Sequence, residues 1–181
     1  MNWTDYLDLN FKAADLIESG SLEDLCDVFR KARGRGSKVW ILGNGGSAST
    51  AAHAVVDFGK SVKNFGGEPL FAIAPSESTA LQTAYANDES FESAFASTLE
   101  HFLEPQDVVW VISVSGKSPN LLSAISQAKS SGALVVATVG ESGSSLAANI
   151  DLCIVVQSGD YQVVENIHLM IMHWLTKNLG K

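Results

Sequence analysis

The sequence predicts an α/β protein, a five-stranded parallel sheet held between two layers of helices, with two further helices ahead of it. Three observations lead there. Short, uniformly apolar runs recur at 39–42, 70–73, 108–112, 134–138 and 152–156. Strands that apolar are buried on both faces, as happens in parallel sheets covered by helices. Stretches with helical spacing lie between them, at about 47–63, 78–102 (with a break near Asn87-Asp88), 119–131 and 143–149, and a last one spans about 161–179. Right-handed crossovers wind such a chain into a doubly wound three-layer sandwich. Finally, two of the strands run into the same kind of small, hydroxylated loop, and each loop opens into a helix.

The first 35 residues read as two helices. Trp3, Leu7, Phe11 and Ala14 share one face, and Leu22, Leu25, Val28, Phe29 and Ala32 share another. Gly20-Ser21 separates them, Ser21 and Asp24 have the spacing of a capping start, and the Arg-Gly pairs at 33–36 stop the second helix. Their apolar faces either cover the sheet or are buried between subunits. Residues 1–181 form one domain in this reading, with 1–35 as a helical extension packing on it.

Composition narrows the function. A hydrophobic share of 46% with 18% charged residues belongs to a chain with a packed core and excludes intrinsic disorder. Twelve basic against 20 acidic residues give a net charge of −8, which argues against nucleic acid as a partner. A small phosphorylated ligand needs only a local patch of donors. Cys26 and Cys153 have neither metal-ligand nor redox spacing, and Cys153, inside the run 152–156, reads as a buried structural thiol. The start lacks the charged and apolar regions of a secretory signal, and no apolar run approaches the roughly 20 residues of a membrane span. The expectation is a soluble, cytoplasmic protein with reduced thiols.

The two loops are Gly43-Asn44-Gly45-Gly46-Ser47-Ala48 and Ser113-Val114-Ser115-Gly116-Lys117-Ser118-Pro119-Asn120. A strand that ends in small residues and opens into a helix offers backbone N–H groups at the positive end of a helix dipole, an arrangement that binds phosphate. Gly43-x-Gly45-x-x-Ala48 also fits a loose dinucleotide fingerprint. That site wants an acidic residue at the end of the next strand, and Glu77 comes late for it. Turn chemistry alone explains one serine per loop, whereas the second loop holds three, Ser113, Ser115 and Ser118. Ser118 also stands where it can cap the helix that begins at Pro119.

Chemistry-bearing side chains follow. His53 and Asp57 are four apart, on one face of the helix leaving the first loop. Glu165 and His173 are eight apart on one face of the last helix, and Glu165, His168 and Met172 follow a stripe there. Each pattern is common in packed helices. The last helix is otherwise so apolar, however, that Glu165, His168 and His173 must find partners or water. His101 reads as structural or surface.

Taken together, G-N-G-G-S-A at 43–48 with His53 following, A-N-D at 86–88, I-S-x-S-G-x-S-P-N at 112–120 and I-H-x-x-x-x-H at 167–173 resemble the sugar isomerase (SIS) family, in its phosphoheptose isomerase branch. The resemblance spans nearly the whole chain. It implies an aldose–ketose isomerase that converts sedoheptulose 7-phosphate to a mannoheptose 7-phosphate. By it, Ser47, Ser113, Ser115 and Ser118 hold the phosphate, with Gly45 in the same loop; Asn44 contacts sugar hydroxyls and Asp88 lines the site. His173 matches the family's catalytic histidine and Asp57 its catalytic glutamate, with Glu165 as a rival base. Zinc is the implied metal, at His53, Asp57, Glu165 and His173. The implied assembly is a homotetramer whose sites combine residues of neighbouring subunits. The sequence departs from the family at four positions: Asp57 for Glu, Glu165 for Gln, Gln162 near an expected Asp, and Val114 for Thr. Non-catalytic members of the family, a scaffold for a replication initiator or a phosphosugar sensor, are the alternative. A pure scaffold has no reason to keep the titratable set.

Overall fold

The computed structural model describes residues 1–180. Its elements are α1 (Trp3–Asp15), α2 (Ser19–Arg35), β1 (Val39–Leu42), α3 (Gly46–Gly59), β2 (Ala72–Ile73), α4 (Thr79–Asp88), α5 (Ala94–Phe102), β3 (Val108–Ser113), α6 (Pro119–Ser130), β4 (Leu134–Gly140), β5 (Leu152–Val156) and α7 (Tyr161–Leu179), with short 3₁₀ segments at Ser61–Phe65, Pro75–Glu77 and Glu141–Asn149. The strands form one parallel sheet in the order β2-β1-β3-β4-β5.

Alternation along the strands builds two cores. Val39, Ile41, Val108, Trp110, Ile112, Val136 and Ile154 face α1, α2, α3 and α7. Trp40, Leu42, Val109, Val111, Val135, Ala137 and Val139 face α5 and α6 on the other side. The period of two explains why these runs had to be apolar at every position. The chain leaves β1 for β2 on one side and returns to β3 on the other, so the crevice between β1 and β3 is the switch point where open α/β sheets bind ligands.

Some boundaries differ from the sequence reading. The first two helices part at Leu16–Glu18 rather than at Gly20-Ser21, because Ile17 is drawn against the core and the chain must turn there; Ser21 lies inside α2 and caps nothing. Gly36, at φ 72°, does end α2. The helix expected over 47–63 stops at Gly59 and continues as 3₁₀, and the stretch around 143–149 is wholly 3₁₀. At the sheet edge, the run 70–73 shrinks to two residues of strand between Pro69 and Pro75. Cys153, on the edge strand β5, is half-buried rather than buried, and both thiols are free. On α1, Trp3, Leu7 and Phe11 turn outward, with Trp3 71% and Phe11 67% exposed; only Ala13 of that helix is fully buried.

Candidate active site

The two hydroxylated loops lie side by side at the carboxyl ends of β1 and β3. Asn44, Ser47, Ser113, Ser115, Ser118 and Glu165 line one cavity there, floored by Ile112, Val114 and Leu121 and with Tyr161 at its lip. The serine hydroxyls are poised to donate. Ser113 Oγ accepts the Gly116 N–H at 3.0 Å and Ser115 Oγ the Lys117 N–H at 3.3 Å, which satisfies oxygen lone pairs and leaves each O–H free for an anion. Ser118 holds the N-cap position of α6, but its side chain makes no capping bond. Gly45 is the N-cap of α3 at φ 54°, a conformation that favours glycine.

Glu165 reaches this cavity from α7 by closing on the first turn of α3. A β-carbon on Gly46 would stand 2.4 Å from Glu165 Oε1, so only glycine admits the carboxylate there. No lysine or arginine lines the cavity among the described residues, and Glu165 is its one charged group.

Farther along the same two helices lies a second cluster. His53 Nε2 is 3.8 Å and His173 Nε2 3.9 Å from Asp57 Oδ2, and the two imidazoles meet edge to face with centroids 4.9 Å apart. One ligand atom from each residue lies within 4.8 Å of the others. Asp57 is the sheltered member, its side chain 13% exposed, while both histidines stand nearly half exposed above it. Ser61, Asn64, Thr176 and Lys177 complete the rim. The arrangement follows from packing: α3 and α7 are neighbours on one face of the sheet, so residues one turn apart on α3 meet the outward face of α7.

The other sequence candidates fall elsewhere. Glu165 lines the serine cavity and is outside the His53–Asp57–His173 group. Asp88, at the exposed end of α4, takes a hydrogen bond from Asn87 and lines neither cavity. His168 was expected to find a partner. It is buried against β4 with no side chain paired to either ring nitrogen, and burial, opposed only in part by the Val139 backbone, pushes its pKa down to about 4. His101 is exposed, hydrogen-bonded to the Ser97 carbonyl oxygen. Sequence reasoning missed Tyr161 and Asn120. Tyr161 was findable as the residue after Asp160, which caps α7 by accepting from the Gln162 and Val163 N–H groups.

A family model for the SIS domain matches residues 3–140. The chain is 34% identical over 154 residues to the phosphoheptose isomerase of Crocosphaera subtropica, covering 84% of this chain and 78% of that one. It belongs to the SIS family, in its phosphoheptose isomerase branch. The phosphoheptose isomerase of Geotalea daltonii is likewise 34% identical, over 164 residues, covering 90% of this chain and 84% of that one. Among solved structures, a phosphoheptose isomerase from Francisella tularensis superposes with a TM-score of 0.89 at 25% identity, covering 99% of each chain.

Proposed function

We propose that the chain is an isomerase that interconverts the ketose and aldose forms of sedoheptulose 7-phosphate. One observation carries the reading: α3 and α7 wall the serine cavity at one end and present the His53–Asp57–His173 cluster farther along. From Glu165 to His173 is eight residues, or ~12 Å of helix. An extended heptose phosphate, at ~1.5 Å per carbon–carbon bond, spans roughly 9–10 Å from phosphorus to C1. A sugar anchored by Ser47, Ser113, Ser115 and Ser118 therefore brings its reacting carbons within side-chain reach of the cluster, and the binding energy of the phosphate positions them.

The reaction moves one proton from C1 to C2 and another from O1 to O2. A carboxylate removes the C1 proton, the enediolate forms, and the proton returns at C2; an imidazole shuttles the proton between the oxygens. We assign the carboxylate to Asp57 and the shuttle to His173. Two imidazoles and a carboxylate also fit zinc, with the exposed side left open for a substrate oxygen. Zinc bonds of about 2.0–2.2 Å set ligand atoms ~3.4 Å apart, and the ligand atoms here already lie within 4.8 Å of one another. The chemistry such an ion supplies when bound is Lewis-acid polarisation of the carbonyl. With Asp57 engaged as a ligand it is no longer a free base, and Glu165, the rival carboxylate, stands at the serine end and outside the three-residue group.

The exposed Trp3 and Phe11, beside the exposed Met170 of α7, support a subunit contact on that face, consistent with a homotetramer. We assign Asp88 to the site of a neighbouring subunit, since it lines none in its own. Among the described residues no helix is long and apolar enough to cross a membrane, and we place the protein in the cytoplasm. Residues 1–181 are read as one SIS domain with 1–35 as its extension.

A coupled assay with purified protein and several ketose phosphates, with and without zinc, tests this. Turnover of the seven-carbon substrate is expected; no turnover of any of them ends the proposal. Comparing Asp57→Asn with Glu165→Gln under both conditions assigns the base.

A further inference from the structure

We propose that Asn120 is a positioning residue that clasps the two serine loops into one cradle and sets the orientation of Asn44 within it. The inference rests on reading the serine cavity as a phosphate site. Asn120, second residue of α6, is 1% exposed. Its Nδ2 donates to Asn44 Oδ1 at 2.9 Å, and Asn44 Nδ2 donates to Asn120 Oδ1 at 3.0 Å. Both amides thus act as donor and acceptor toward each other.

The position of this pair gives it its role. The ladder between β1 and β3 ends at Leu42 and Val111, and beyond it the chains part. One loop turns into α3 on one face of the sheet and the other into α6 on the opposite face. Among the described residues no other side-chain hydrogen bond joins the two loops. The second loop is also tied to the β4 side, where its Val114 carbonyl accepts from the Gly140 N–H and the Ser142 hydroxyl, but those bonds do not reach the first loop.

The clasp also decides which edge of Asn44 meets the ligand. A primary amide has two N–H donors and a carbonyl with two lone pairs. The pair consumes one of each, and because Asn44 lines the cavity, its second N–H and remaining lone pair are left for the ligand. Free rotation of that amide would exchange donor for acceptor. A buried asparagine that merely satisfied itself would not need a partner from the opposing loop.

The test uses Asn120→Asp and Asn120→Ala in the full chain, with inorganic phosphate binding by calorimetry and kcat and KM for the ketose phosphate, between about pH 5.5 and 8. An aspartate is isosteric. Ionised, it has no hydrogen for Asn44 Oδ1; protonated, its O–H restores the reciprocal pair. Relative to wild type, Asn120→Ala should weaken phosphate binding on the order of tenfold at every pH, mostly through KM. Asn120→Asp should be the weaker binder at pH 8 and close on wild type as the pH falls. A constant ratio of Asn120→Asp to wild type across that range, or an Asn120→Ala variant that binds phosphate like wild type, overturns the clasp. Failure of wild type to bind phosphate or sugar phosphate would instead remove the cradle reading, and the clasp with it. Should Asn120→Ala fail to fold, the isosteric variant carries the test.

Discussion

The two ends of the site are built differently. The serine cavity is made at the tips of buried strands, from a buried Ser47 and Ser113 and from Gly43, whose β-carbon would meet the Ser47 backbone, and its donors are neutral. The His53–Asp57–His173 cluster stands on the faces of two helices, half in solvent, and depends on no special backbone. Anchoring is thus a property of the fold and chemistry a property of exchangeable side chains. Of the four departures that the resemblance implied, Asp57 stands in the helix-face cluster, whereas Glu165 and Val114 line the serine cavity beside the retained Ser47, Ser113, Ser115 and Ser118. A shortened or recharged side chain on a helix face leaves the backbone alone, whereas a side chain on Gly46 would drive out a neighbour.

The largest expected effect is at the exposed end. His173→Ala should cost ~10²- to 10⁴-fold in kcat, the usual worth of an acid–base group, with an unchanged melting curve. An active variant, or one that unfolds, would erase the contrast between the ends.

Next comes the other histidine of α7. His168 is held neutral by burial with a pKa of about 4, against about 6.5 in the unfolded chain. Between those values the unfolded state binds the extra proton, so this contribution is whole above about pH 6.5 and lost as the pH falls through 4. A shift of that size corresponds to about 3 kcal/mol. Urea unfolding against pH should show the decline, and His168→Leu should flatten that part of it without loss of stability near pH 7. An unaltered slope in the variant would place the acid sensitivity elsewhere.

A smaller effect sharpens the role of Glu165. Gly46→Ala should push the carboxylate off the first turn of α3 and lower kcat/KM as far as Glu165→Ala does, by ~10- to 100-fold, and the double variant should be no worse than either single one. Additive losses would show that the two residues act independently. Smallest is Ser118→Ala. Since the hydroxyl makes no capping bond, removing it should raise KM roughly tenfold without the ~1 kcal/mol loss of stability that an N-cap serine normally costs. A fall in melting temperature with unchanged KM would reverse that assignment.

The sheet was legible because nearly every strand residue had to be apolar to serve two cores, Thr138 being a buried exception, and the serines because no turn needs three of them in six residues. Helix ends were harder to read. Nothing local distinguishes Gly20 from Leu16 as a break, and the tertiary pull on Ile17 decided it. The outward stripe of Trp3, Leu7 and Phe11 was visible as a stripe, yet its facing solvent depends on which surface α7 leaves to α1. Similarly, Glu165 and His173 share a helix face, but their separation into two clusters depends on how α3 lies alongside, with Gly46 admitting one and His53 and Asp57 meeting the other. The Asn44–Asn120 pair joins residues far apart in sequence and left no periodic trace.

The most direct measurement is a crystal structure of the protein soaked with sedoheptulose 7-phosphate. Phosphorus is expected among Ser47, Ser113, Ser115 and Ser118, with C1 and C2 beside an Asp57–His173 pair of the same or a neighbouring subunit. Phosphate in that cradle with the sugar carbons directed away from every such pair would contradict it, leaving an anion-binding fold with no catalytic end.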